Sequence, residues 1–182
     1  MPILGILASQ ISGRLSSYES IATVTVGVGG QSSVTFSSIP STYKHLQIRY
    51  IAKNTGTVTA YSIFNFTFNG DSAANYSAHQ LYGNGSSAGA GATTSTTSQL
   101  APWIPYASYT NVFGAGVIDI LDYANTSKYK TTRILGGFDS NGDGVVGLIS
   151  GLWQSTAAVS SISFTFSNFA QYSQFALYGV KG

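Results

Sequence analysis

Ser62-Ile63-Phe64-Asn65-Phe66-Thr67-Phe68 places phenylalanine at every second position, through Phe64, Phe66 and Phe68. A period of two puts the three rings on one face of a strand and the intervening residues on the other. The same period recurs on both sides. Upstream, Val24 and Val26 alternate with Thr23 and Thr25 within Ile21 to Val28, Gly29-Gly30 turns the chain, and Ser33-Val34-Thr35-Phe36 follows until Pro40. His45-Leu46-Gln47-Ile48-Arg49-Tyr50-Ile51 sets Leu46, Ile48 and Tyr50 on one face. Downstream come Val112 to Tyr123, Tyr129 to Phe138, Val145 to Trp153, Val159 to Phe166 and Phe175 to Val180. Such runs, rich in β-branched and aromatic residues, read as strands.

Turn chemistry punctuates them. Asn69-Gly70-Asp71, Asn125-Thr126-Ser127, Ser140-Asn141-Gly142 and Ser167-Asn168 are the signals, since Asn and Gly accept positive φ. Asn75 to Tyr82 reads as another strand or an irregular crossing. Residues 83–101, from Gly83-Asn84-Gly85 through a Thr/Ser run, have little apolar content and read as a long exposed loop. Pro102-Trp103-Ile104-Pro105-Tyr106 turns apolar again, and its two prolines exclude a central strand. About ten strands without a helix of three turns after residue 20 predict an all-β, antiparallel two-sheet sandwich. A jelly roll is favoured, with the long 83–101 segment as a crossing connection. The domain occupies residues 18–182, behind an apolar N-terminal segment, 1–17.

Composition narrows the function. The 182 residues include six carboxylates, two histidines and no cysteine, and only 8% are charged. Catalysis needs titratable groups held in pairs and tuned by their surroundings, so a surface-forming or recognition protein is expected rather than an enzyme. Disorder does not fit, because disordered segments are charge-rich and aromatic-poor. A net charge of +2, with scattered basic residues, excludes a nucleic-acid groove. The densest basic group, Lys128, Lys130 and Arg133, reads as the solvated end of a strand. No cysteine means no disulfide staple and no thiolate zinc site. No apolar run approaches the ~20 residues of a membrane span. The apolar opening lacks the basic start of a secretory signal, so its retention is expected.

Individual motifs are weak. Asp119 and Asp122 stand three apart, which puts them on opposite faces of a strand and out of reach of one substrate. Asp139-Ser140-Asn141-Gly142-Asp143-Gly144 matches the first half of a calcium loop, so Asp139, Asn141 and Asp143 are a weak calcium candidate. Ser150 stands where that loop needs a bidentate Glu, and a hairpin turn explains the motif without an ion. His45 and His79 lack companion ligands, no G-x-S-x-G turn is present, and no cofactor is expected. Aromatics are the remaining resource: Tyr82, Asn84, Trp103, Tyr106 and Tyr109 flank or occupy the 83–101 segment and form a candidate recognition loop. Their competing role is packing beneath that segment.

Several phrases carry a resemblance. They are Pro2-Ile3-Leu4-Gly5, Ser20-Ile21-Ala22-Thr23-Val24-Thr25-Val26-Gly27, and Ser37-Ser38-Ile39-Pro40-Ser41-Thr42-Tyr43-Lys44-His45-Leu46-Gln47-Ile48-Arg49. Phe68-Asn69-Gly70-Asp71, Leu81-Tyr82-Gly83-Asn84-Gly85, the stretch Gly116 to Asn125, and the closing Phe175 to Gly182 complete them. Together they resemble small virion structural proteins of tailed bacteriophages of cyanophage and marine-phage type. The resemblance implies a virion component without enzymatic activity, and does not choose between capsid decoration and tail attachment.

The residues agree with such a role. Ile3, Leu4, Ile6, Leu7 and Ile11 make an apolar peptide suited to docking on a virion partner, in a groove or along a strand edge. The expectation is a tail-associated, fibre-like host-attachment module. It would partner a tail or major capsid protein, form a homotrimer by analogy with virion architecture, and offer loop tips to host-surface glycans. The alternatives are a cement protein clamping capsid subunits and a secreted lectin-like module.

Overall fold

Twelve strands and no helix make up the described part of the chain, which in this computed structural model is residues 17–56 and 61–182. They are β1 (Tyr18–Thr25), β2 (Gln31–Phe36), β3 (His45–Ala52), β4 (Tyr61–Phe68), β5 (Tyr76–Gly83) and β6 (Ala88–Thr96). Then follow β7 (Gln99–Pro105), β8 (Gly114–Leu121), β9 (Lys130–Ser140), β10 (Asp143–Trp153), β11 (Ile162–Phe169) and β12 (Gln174–Val180). One sheet has eight strands in the order β1-β12-β3-β8-β9-β10-β5-β6; the other has four, β2-β11-β4-β7. Their pairings are antiparallel throughout. The architecture is a β-sandwich.

The phenylalanines of β4 build its centre. Phe64, Phe66 and Phe68 are fully buried. Phe64 meets Tyr50 of β3 at 5.1 Å and Phe175 of β12 at 6.1 Å, both edge-on, so the two sheets are joined ring to ring. Edge-to-face pairs of this kind contribute about 0.5–1.5 kcal/mol each beyond their buried area. Leu46, Ile48, Ile118, Ile120, Ile134 and Ile149 complete the eight-stranded sheet's inner face.

A row of missing side chains shapes that face. Gly116, Gly136 and Gly147 are cross-strand partners on β8, β9 and β10. A Cβ on Gly147 would lie 1.7 Å from the Trp103 ring, and one on Gly136 would lie 2.5 Å from the Tyr50 hydroxyl. Glycine here lets two large rings lie flat against the sheet. Trp103 is buried as a result, in a second small cluster with Phe138 and Val145.

Two expectations are corrected. Residues 83–101 are not a long loop: they hold the end of β5, all of β6 and the start of β7, and the crossing from the large sheet to the small one takes only residues 97–98. Ala, Gly, Ser and Thr form strand β6 because the ladder of β5 satisfies their backbone, with no apolar face required. Lys130 is not at a solvated strand end. It is fully buried, and its ammonium donates to the carbonyls of Asn125 at 2.7 Å, Lys128 at 2.9 Å and Thr156 at 3.2 Å. Of the two forms expected for Asn75 to Tyr82, the strand is the one found: Tyr76–Gly83 pairs with both β10 and β6, with a register shift against β6 between Tyr76 and Ala78. The prolines behave as expected, since β7 lies at an edge of the smaller sheet.

Candidate interaction surface

The predicted site residues do not converge. Ile3, Leu4, Ile6, Leu7 and Ile11 lie outside the described residues. Among the candidate recognition residues, Trp103 is buried and packs on the ring of Tyr82 at 5.4 Å. Tyr109 leans on Phe138 at 5.4 Å and donates its hydroxyl to Asp143 at 2.7 Å, and that bond raises its pKa above the ordinary tyrosine value. Tyr106 lies 3.0 Å from where a Gly56 side chain would begin. The amide oxygen of Asn84 accepts from the backbone N–H groups of Ser86 and Ser87, which shapes the β5–β6 turn. The five residues therefore do not form one exposed recognition loop: turn shaping and packing occupy most of them.

Asp139 to Gly144 closes the β9–β10 hairpin. Asn141 (φ 56°) and Gly142 (φ 97°) take the two positive-φ positions, as a two-residue primed turn requires. The Asp139 carboxylate accepts from the Asn141 N–H at 3.0 Å, and Asp143 is engaged by Tyr109. Among the described residues no group of three His, Asp or Glu side chains is placed to hold a metal ion.

The remaining carboxylates are likewise held by the fold. Glu19 pairs with Lys181 and accepts from the Tyr43 hydroxyl, which lowers its pKa. Asp71 accepts from Asn75 at 2.9 Å and from the Trp153 indole N–H at 2.7 Å. Asp119 accepts from the Gln47 amide at 2.9 Å. Asp122 pairs with Lys128 and Lys44, whose hydrogen bonds bring its pKa down to about 2. Its backbone N–H donates to Nδ1 of His45 at 2.9 Å. All six carboxylates of the chain are thus assigned to turns, strand ends and clamps.

What stands open is the outer face of the large sheet. Cross-strand register aligns Val117, Leu135, Leu148, Leu81 and Ala90 in one row across β8, β9, β10, β5 and β6. Leu135 is 56% exposed, Leu148 52% and Leu81 60%. A second row, two residues along, holds Ala115, Gly137, Val146, Gly83 and Ala88. A leucine ridge therefore runs beside a shallow trough. The trough is a groove of about 730 Å³ floored by Gly83, Ala115 and Gly137. His79 and Ser150 lie on the ridge's other flank, beside Leu81 and Leu148.

The adjoining edge is equally bare. β6 carries neither charge nor proline over nine residues, whereas β1 has Glu19 and a bulge between Ser20 and Ala22, and β7 has Pro102 and Pro105. Exposed edges are usually blunted by such devices. The sequence held a signal for this surface: β9 and β10 carry apolar residues at both parities, so one set had to face outward. No protein-family model, no curated protein and no solved structure matches the chain.

Proposed function

We propose that the chain is a non-enzymatic structural protein of a tailed-phage virion, projecting from the particle as a tail-associated, fibre-like host-attachment module. One observation supports the non-enzymatic part: every carboxylate takes a hydrogen bond or ion pair from its own fold, and no two of them are paired for acid–base work. The virion assignment rests on the sequence phrases that resemble phage structural proteins. An exposed leucine row on a rigid β-scaffold is what a protein that works by contact would present.

The sandwich itself reads as a jelly roll. Strands β1-β12-β3-β8 would form one four-stranded layer and β2-β11-β4-β7 the other, with the chain passing repeatedly between them. The hairpins β5–β6 and β9–β10 are then insertions that widen the first layer to eight strands.

Imaging of the purified particle with a label on this chain tests the assignment. A few tens of copies or fewer at the tail is the expected result. Hundreds of copies over the capsid would instead assign the cement role, and absence from the particle would refute the virion reading. Deleting residues 2–11 is expected to abolish incorporation, and normal assembly of the truncated chain would refute the docking peptide.

A further inference from the structure

We propose that the outer face of the eight-stranded sheet pairs with the same face of a second copy of this chain. The two-fold axis would run across the strands, along the line marked by Gly116, Gly136, Gly147 and Tyr82, which are cross-strand partners. This inference stands apart from the virion reading and survives its failure.

The argument is self-complementarity. A two-fold on that line exchanges the residues on either side of it. Leu135 then lies over Gly137 of the second copy, Leu81 over Gly83, Val117 over Ala115, and Leu148 over Val146. Ridge meets trough at β8, β9 and β5 on both copies, while on β10 Leu148 meets Val146, which is itself 58% exposed. Isologous contacts require this kind of match, because one patch must complement itself.

Charge follows the same symmetry. Moving one more pair outward along β9, the exchange sets Arg133 against Asp139. Both are exposed, and neither has an ion-pair partner among the described residues. Arg133 also stands directly opposite Asp119 on β8, so the exchange places this one cation between Asp119 and the second copy's Asp139. A face evolved for a different partner has no reason to satisfy its own two-fold in shape and in charge.

The area sets the strength. Five strands at about 4.8 Å spacing and about 20 Å of strand length give roughly 400 Å² of projected face per copy. That is below the ~800 Å² per partner of a standard interface. A weak, concentration-dependent dimer follows, at the low end of interface sizes.

Sedimentation velocity of the full chain, from about 1 to about 200 µM, tests for that dimer. The expected result is concentration-dependent dimer at twice the 19.0 kDa chain mass. A monomer throughout overturns the proposal, and a trimer overturns the two-fold, since an isologous face closes at two. Gly83→Leu fills the trough without crowding its own chain, because a Cβ there meets nothing closer than 3.7 Å. It is expected to weaken dimerisation by about tenfold or more with an unchanged melting temperature; undiminished dimerisation overturns the packing. Arg133→Glu is expected to weaken the dimer several-fold, and adding Asp139→Lys to restore it. Failure of that rescue overturns the proposed register.

Discussion

Tyr50 lies across Gly116 so closely that a Cβ on the glycine would sit 2.4 Å from the phenol oxygen. The tyrosine comes from β3 and the glycine from the neighbouring β8, at directly paired positions. The ring therefore spends its length over the sheet rather than projecting straight into the sandwich. From there it meets Phe64 and Phe175 together.

Adding a methyl group to this glycine row is accordingly expected to destabilise the fold. For Gly147→Ala the new Cβ would fall within the Trp103 ring, and overpacking of this kind costs about 1–3 kcal/mol or more. Gly70→Ala offers a contrast: it meets no atom within 4 Å but has a φ of 69°, so only backbone strain, about 1 kcal/mol, should register. Urea unfolding of the two variants, followed by tryptophan fluorescence, measures both losses.

Lys130→Met should cost more than its surface-like sequence context suggests. It removes the buried ammonium that the carbonyls of Asn125, Lys128 and Thr156 have as a partner, in bonds that are themselves part-buried. Orphaning buried acceptors costs about 1–3 kcal/mol for each group that water cannot reach. Lys128→Met, at an exposed position, is expected to cost less than half as much in the same denaturation assay.

Asp71→Ala leaves the Trp153 indole N–H, on a buried ring, without its acceptor. About 1–3 kcal/mol of destabilisation is expected. The variant should also alter the tryptophan emission spectrum in the folded state, because the charge beside the indole is gone.

Acid should weaken the protein in a window that Asp122 helps to define. Hydrogen bonds from Lys128 and Lys44 depress its folded pKa from 3.8 to about 2. Its contribution is therefore present above about pH 4 and is lost as the pH falls through the folded value. Glu19 and Asp71 are depressed too and act with the same sign. Melting temperatures between pH 5 and pH 2 should fall less steeply for Asp122→Asn than for the parent, with the difference largest on the acid side.

Much of the sandwich was legible because alternation is a local signal. Phe64, Phe66 and Phe68 announced both their strand and its buried face. Strand β6 was not legible, since Ala88 to Thr96 has no apolar contrast and is held by pairing with β5. Lys130 misled for a related reason: its neighbours in sequence are polar, and the carbonyls it donates to include Thr156, in the loop just past β10. The aromatic residues around 82–109 were read as a recognition loop with packing as the rival role, and packing is what holds Trp103 and Tyr109. Which role each takes depends on glycines of other strands, such as Gly147 beneath Trp103. The leucine face was hidden because Ile134 and Leu135 are adjacent and equally apolar. Only the opposite sheet determines which one is covered.

The pairing of β1 with β12 has a last consequence. Tyr18 lies opposite Val180, and the N–H of Lys181 donates to the Ser17 carbonyl at 3.0 Å. The two ends of the domain are thus neighbours in space, and the covalent order of its strands is almost circular. A short linker from Gly182 to Ser17, with a new opening at the Asn141-Gly142 turn, should yield a circular permutant that folds to the same sandwich.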